Sequence, residues 1–218
     1  DDKNEASETF DVELSSASGG TNGTVAFAVA GGTTGPATGV VTVTNDDAVV
    51  LSIAAASEPE NQDGTLTFAV TIDASTGTAT TSGADVTFNV TTSAGTATAG
   101  GTDYTTVPSS GATGTISADG TSTNVTVAVT GDTINEDDET FTVTLDTPGG
   151  GLDATPTLNG AATSATGTIE NDDVLALVIS DDTSTDESDG TLTFTVELET
   201  GAGMTSDADV SVDYTLTD

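Results

Sequence analysis

Two stretches of this chain run out into the same cluster of acids. Val-Val-Thr-Val-Thr-Asn-Asp-Asp (40–47) ends in Asp46 and Asp47, and Gly-Thr-Ile-Glu-Asn-Asp-Asp (167–173) ends in Asp172 and Asp173. A third acidic run, Glu136-Asp-Asp-Glu139, stands just before the alternating Phe141, Val143 and Leu145. Carboxylates collected at strand ends are the ligand set a hard divalent cation needs. Calcium takes about six to eight oxygens, several from carboxylates and the rest from backbone carbonyls and water. Held within a few Å and left alone, such groups repel one another, and a bound cation removes that cost.

The composition narrows the chemistry further. Thirty-six Asp and Glu face one basic residue, Lys3, for a formal charge of −35. Of the acids 25 are Asp, a residue that favours turns and strand ends over helix interiors, so the charge belongs mostly to loops. One lysine cannot neutralise nucleic acid or an anionic membrane, and neither is expected as a partner. Cysteine and histidine are absent, which excludes disulfides, a thiolate nucleophile, an imidazole base and the usual zinc sites. The longest apolar run, Val174–Ile179, is too short to span a membrane, so no direct membrane insertion is expected. The plain alternative is a solvated acidic surface that serves solubility alone.

The elements that must carry these acids are strands. Leu66-Phe68-Val70-Ile72, Val86-Phe88-Val90, Val125-Val127-Val129 and Phe141-Val143-Leu145 alternate bulky groups with Thr or other polar residues. That period sets one buried and one wetted face, and no segment carries helical apolar spacing. Gly, Asp and Ser punctuate the runs every ten to twenty residues, which points to an all-β fold of antiparallel sandwiches with essentially no helix. Strands are expected near 48–54, 65–73, 84–91, 112–117, 123–130, 139–146 and 165–170. An extra short strand is expected at Val25–Ala30, and loops at 74–83, 92–101 and 147–166.

The pattern repeats along the chain. Asp47 and Asp173 lie 126 residues apart, as do the two copies of Gly-Thr-Leu-Thr-Phe at 64–68 and 190–194. Glu-Thr-Phe-x-Val-x-Leu recurs at 8–14 and 139–145, an offset of 131. The expected organisation is the end of one repeat (1–47), a complete repeat (48–173) and the beginning of another (174–218), as if cut from a longer array. Strand end runs into strand start at Asp47/Ala48 and Asp173/Val174 without a linker, so neighbouring repeats are expected to abut stiffly.

Gly64-Thr-Leu-Thr-Phe-Ala-Val70, Gly95-Thr-Ala-Thr-Ala-Gly-Gly-Thr-Asp-Tyr104, Ile134-Asn-Glu-Asp-Asp-Glu-Thr-Phe-Thr-Val-Thr-Leu145 and Gly167-Thr-Ile-Glu-Asn-Asp-Asp173 follow in order. Together they resemble the Calx-β domain of sodium–calcium exchangers and of tandem arrays on large bacterial surface proteins. The resemblance implies a seven-stranded immunoglobulin-like sandwich with a calcium (Ca2+) site at one end, near the junction with the next domain. It assigns ligands to Asp132, Glu136, Glu139 and the Asp172–Asp173 pair, with a backbone carbonyl at Ile134; Glu58 or Glu60 joins them at the same strand ends. Ala94 departs from the exchanger pattern, which has an acid there, and this points to one or two ions. The matching set in the first copy is Asp1, Glu5, Glu8, Asp46 and Asp47, with Lys3 standing where Ile134 stands and able to compete with a cation. In the last copy the set is Asp218, which keeps the acid, with Asp186, Glu187 or Asp189. Asp103 and Tyr104 are expected to be structural, Asp103 bonding loop amides and Tyr104 packing.

The function these readings favour is a non-catalytic, calcium-stiffened segment of a large bacterial extracellular or cell-surface protein, an adhesin stalk, matrix or filament module. Its partners would be calcium ions, neighbouring repeats of the same chain and other copies of itself. A calcium-sensing regulatory module is the alternative. Paired carboxylates could also serve glycoside hydrolysis, but with no tryptophan and two tyrosines the sugar platforms are missing.

Overall fold

Alternation of bulky and polar side chains is what builds the two large sheets of this molecule. The computed structural model describes residues 2–16, 19, 37–60, 64–74, 78–107, 112–153, 155–181, 188, 190–199 and 204–217. The expected strand at Val25–Ala30 lies outside them. Ahead of residue 48 the strands are β1 (Lys3–Asn4), β2 (Glu8–Leu14) and β3 (Ala37–Val43). Next come β4 (Val50–Ile53), β5 (Ala56–Pro59), β6 (Thr65–Ile72), β7 (Thr81–Ser82), β8 (Val86–Ala94), β9 (Ala112–Ile116) and β10 (Ser122–Ala128). Then follow β11 (Ile134–Asn135), β12 (Glu139–Gly150), β13 (Thr157–Leu158) and β14 (Ser164–Glu170). The last segment holds β15 (Leu177–Ile179), β16 (Val196–Leu198) and β17 (Thr205–Ser206). Among the described residues no helix is long and apolar enough to cross a membrane.

Residues 48–173 form a sandwich of two sheets, ordered β10-β6-β4-β13 and β5-β14-β12-β8-β9. Leu51, Ile53, Leu66, Phe68 and Val70 of one sheet meet Val86, Phe88, Val90, Phe141, Val143 and Leu145 of the other, all buried. Tyr104, held by bridges to Ala99 and Val129, stacks on Phe141 with ring centroids 4.2 Å apart. Phe68 meets the same Phe141 edge-on at 6.0 Å. Burying these rings and aliphatic chains is the main term that offsets the conformational entropy of so Gly- and Thr-rich a chain.

Gly167 explains one of the sequence motifs. A Cβ there would stand 2.7 Å from the Phe141 ring and 2.8 Å from the Phe68 ring. The aromatic pair thus uses the space that a side chain would need. We expect Gly167→Ala to lower stability by about 1–2 kcal/mol through overpacking, read as an earlier denaturant midpoint with an unchanged slope.

The structure departs from the expected elements in several places: β7 lies in the expected loop 74–83, and β8 runs on into the expected loop 92–101. β5 is an added strand with no apolar alternation, and it runs parallel to β14, with Glu58 opposite Ile169. β13 likewise lies parallel to β4 within the expected loop 147–166. β12 continues to Gly150 past an irregularity between Asp146 and Gly149, where Thr147 takes φ +43°. Each of these depends on a neighbouring strand that offers a free edge, and not on the segment's own pattern.

The flanking segments are hairpins: β2 pairs antiparallel with β3, and β15 with β16. Phe10, Val12 and Leu14 are exposed, although their sequence counterparts Phe141, Val143 and Leu145 lie in the core.

Candidate metal centre

Parallel pairing of β5 with β14 is the element that assembles the site. The two strands end side by side, and the Glu60 amide donates to the Glu170 carbonyl at 2.9 Å. Glu60 is therefore delivered next to Asn171, Asp172 and Asp173, which follow β14. Asp132 arrives at the same end from β10, in a turn that its own Oδ1 closes by accepting from the Ile134 amide at 2.7 Å. Glu139 opens β12, and Asn171 Oδ1 accepts from the Glu136 amide at 3.3 Å.

Carboxylate oxygens of Glu60, Asp132 and Asp173 lie within 4.8 Å of one another. Glu60 is 4% exposed, and its Oε1 has no hydrogen-bond partner; neither has the buried Oδ2 of Asp173. A buried carboxylate oxygen without a donor is costly, because it has lost water and gained nothing.

The electrostatics say the same. Burial first, then the charges of Asp132, Glu136, Asp173 and Asp172, push the Glu60 carboxyl up to about 7. Glu139 is also raised to about 7, by burial, by a hydrogen bond with Asp103, and by the charges of Asp103, Glu136 and Glu60. Glu136 is raised by burial and by Asp132, Asp103, Asp207 and Asp173, and Asp173 by burial, Asp172 and Asp132. Every perturbing charge named here is negative, so the group attracts cations and repels anions. Its donors are oxygens only, the preference of calcium over softer metals.

Of the residues singled out from the sequence, Glu60, Asp132 and Asp173 come together, with Glu136, Glu139 and Asp172 close enough to repel them. Glu58 is exposed on β5 and stands outside the three-carboxylate group. Ile134 pairs with Thr205 in the last segment. At the other junction Glu5 is half-buried, Glu8 and Asp46 are exposed and Asp47 is buried, and no three-carboxylate group forms there among the described residues. Asp1, Asp186, Glu187, Asp189 and Asp218 lie outside the described residues. Lys3 Nζ lies 2.7 Å from Asp119 Oδ1, in the turn before β10, and the charge of Glu5 from the first-copy set also acts on it. Two further acids neighbour the group, Asp103, expected only to bond loop amides, and Asp207, which no motif singled out. Asp103 does accept from the Thr98 amide, but it also hydrogen-bonds Glu139. Asp207 comes from the last segment to face Glu136.

The family model for the Calx-beta domain matches residues 44–173, and the chain belongs to that family. Among solved structures it is similar to an apo-form Calx CBD1 domain, at 20% identity and a TM-score of 0.42, over 58% of this chain and all of that one. It is also similar to CBD12 from CALX1.2, at 21% identity and a TM-score of 0.42, over 61% of this chain and 49% of that one. A third is the calcium binding domain CBD12 of CALX1.1, at 19% identity and a TM-score of 0.44, over 61% of this chain and 50% of that one. No curated protein matches in sequence.

Proposed function

We propose that the chain is a calcium-binding, non-catalytic structural segment, with residues 48–173 as one full repeat and 1–47 and 174–218 as parts of two more. Glu60, Asp132 and Asp173 would hold the ion, with Glu136, Glu139 and Asp172 able to add oxygens. The observation that carries the reading is the buried Glu60 Oε1 and Asp173 Oδ2, both without donors, on two of the three residues whose carboxylate oxygens come within 4.8 Å of one another. Bound calcium supplies two positive charges to a site that lacks any. The protein's part is to fix the carboxylates at the ends of β5, β10 and β14, so that little of the ordering cost remains when the ion arrives. The absence of His and Cys, and the abutment of successive segments, support a mechanical role over a chemical one. The place of such a segment would be the stalk, matrix or filament of an extracellular bacterial protein, with neighbouring repeats and other copies of itself as its partners.

Calorimetric titration tests the reading. Calcium should bind with a dissociation constant of about 10⁻⁴–10⁻³ M, the range of extracellular modules. Glu60→Gln and Asp173→Asn should each weaken it about tenfold or more, the cost of one lost charged ligand. Submicromolar affinity would point to a sensor, and no binding heat at any pH from 6 to 8 would overturn the calcium reading.

A further inference from the structure

The two places where one segment meets the next are built from the same bonds. At the first, Asn4 is fully buried; its Nδ2 donates to the Asp47 carbonyl at 2.8 Å, and its Oδ1 accepts from the Leu152 amide at 2.9 Å. Its backbone lies in β1, paired parallel with β7, and its carbonyl accepts from the Gly83 amide at 2.8 Å. At the second, Asn135 Nδ2 donates to the Asp173 carbonyl. Its backbone lies in β11, paired parallel with β17, and its carbonyl accepts from the Asp207 amide at 3.2 Å.

The surroundings match as well. Asn45 Oδ1 accepts from the Glu5 amide at 3.4 Å, as Asn171 Oδ1 accepts from Glu136 at 3.3 Å. Ser82 Oγ accepts from the Ala84 amide at 3.3 Å, as Ser206 Oγ accepts from Ala208 at 3.2 Å. Two stretches of different sequence, Lys3-Asn4-Glu5 and Ile134-Asn135-Glu136, thus make one set of contacts with Thr-Ser strands far along the chain.

We infer that Asn4 and Asn135 are the hubs of a repeated joint, whose partner is the Thr-Ser strand of the following copy and which holds without a metal ion. A carboxamide suits this task because it donates and accepts at once and carries no charge to be buried. Its Nδ2 ties the hub to the end of its own copy, and its backbone forms a ladder with the next. The hub of the first joint gains a further bond from Leu152 of the following unit. Ser7 adds to the same contact, its amide and its Oγ both donating to Asp153 Oδ2 at 2.6 Å. Glu136 and Asp173 are held by Asn171 and Asn135, so the joint and the carboxylate group share a wall; yet no joint bond passes through a carboxylate of that group.

Hydrogen exchange of the full chain in chelator tests the joint apart from the calcium reading. The amides of Gly83 and Leu152 should be protected, and Asn4→Ala should speed both by about tenfold or more, the worth of one to two buried hydrogen bonds. The amides of Ile72 and Val129, bonded inside the sandwich to Thr121 and Gly64, should keep their rates and so report an intact fold. Asn135→Ala should speed Thr205 and Asp207 and leave Gly83 and Leu152 unchanged. Unprotected Gly83 and Leu152 in the parent chain, or an Asn4→Ala variant with their rates unchanged, would overturn the inference. The chain has no cysteine, so spin labels at Thr42→Cys and Thr126→Cys give a second measurement on the otherwise unaltered protein. A narrow distance distribution in chelator supports a fixed joint, and a broad one refutes it.

Discussion

Calcium at a hundredfold excess over its dissociation constant should raise the melting temperature of the 48–173 unit by roughly 10 °C over its value in chelator. The magnitude follows from linkage: such an excess stabilises the native state by about 2.7 kcal/mol per site. For a domain of this size each kcal/mol moves the midpoint by about 3–4 °C. The carboxylates at the ends of β5, β10 and β14 are the reason the effect should be so large, since without a cation they weaken the fold that gathers them. Glu60→Gln separates this from a general salt effect. In chelator at pH 7.5 the variant should melt higher than the parent, because a buried charge has been removed from among Asp132, Asp172 and Asp173. Adding calcium should then raise its melting temperature by about half as much as in the parent or less, because a tenfold weaker site gains only about 1.4 kcal/mol at the same calcium concentration. Equal melting temperatures of the parent chain in calcium and chelator would contradict the reading. So would an unreduced calcium shift in Glu60→Gln.

The sandwich was largely legible because its strands obey a local rule. Leu66, Phe68, Val70 and Ile72 point inward because alternate residues of a pleated strand must share a face, and the structure buries all four. The acidic end was legible for a related reason: residues that follow strands of one sheet end up at one end of it. What stayed open depended on partners that a local pattern does not name. Glu58 lies on β5 and Glu60 just past its end, two residues on and so of the same parity, yet the first is exposed and the second buried where β5 pairs with β14. Asp103 reaches Glu139 because Tyr104 bridges both Ala99 and Val129 and folds its loop back over β10. Asp207 faces Glu136 because β17 pairs with β11, a contact between segments some 70 residues apart in sequence. Lys3 turned to Asp119 for the same kind of reason, a partner supplied by the next unit.

Lowering the pH should stabilise the metal-free form and shrink the gain that calcium adds to it. Glu60 and Glu139 sit near 7 in the fold, and each has an ordinary value of 4.5. Between those values the native chain holds more protons than the unfolded chain, so the stability of the metal-free form falls as pH rises through the window. The stabilisation from protonation is fully present below about pH 4.5 and lost above about pH 7. Its size is on the order of 3 kcal/mol for a buried group such as Glu60; Glu139, which is partly open to solvent, should contribute less. Glu136 and Asp173 shift in the same direction and should add to the trend. In chelator the melting temperature should therefore climb as the pH is taken from 8 to 5.5. With calcium present the carboxylates must be ionised to bind, so acid competes with the ion and the calcium-dependent increment should shrink over the same range. The two melting curves should converge near pH 5.5 and separate most at pH 8, and Glu60→Gln should flatten both. Parallel curves, with a calcium increment that does not change with pH, would mean that the carboxylates at the ends of β5, β10 and β14 do not bind the ion.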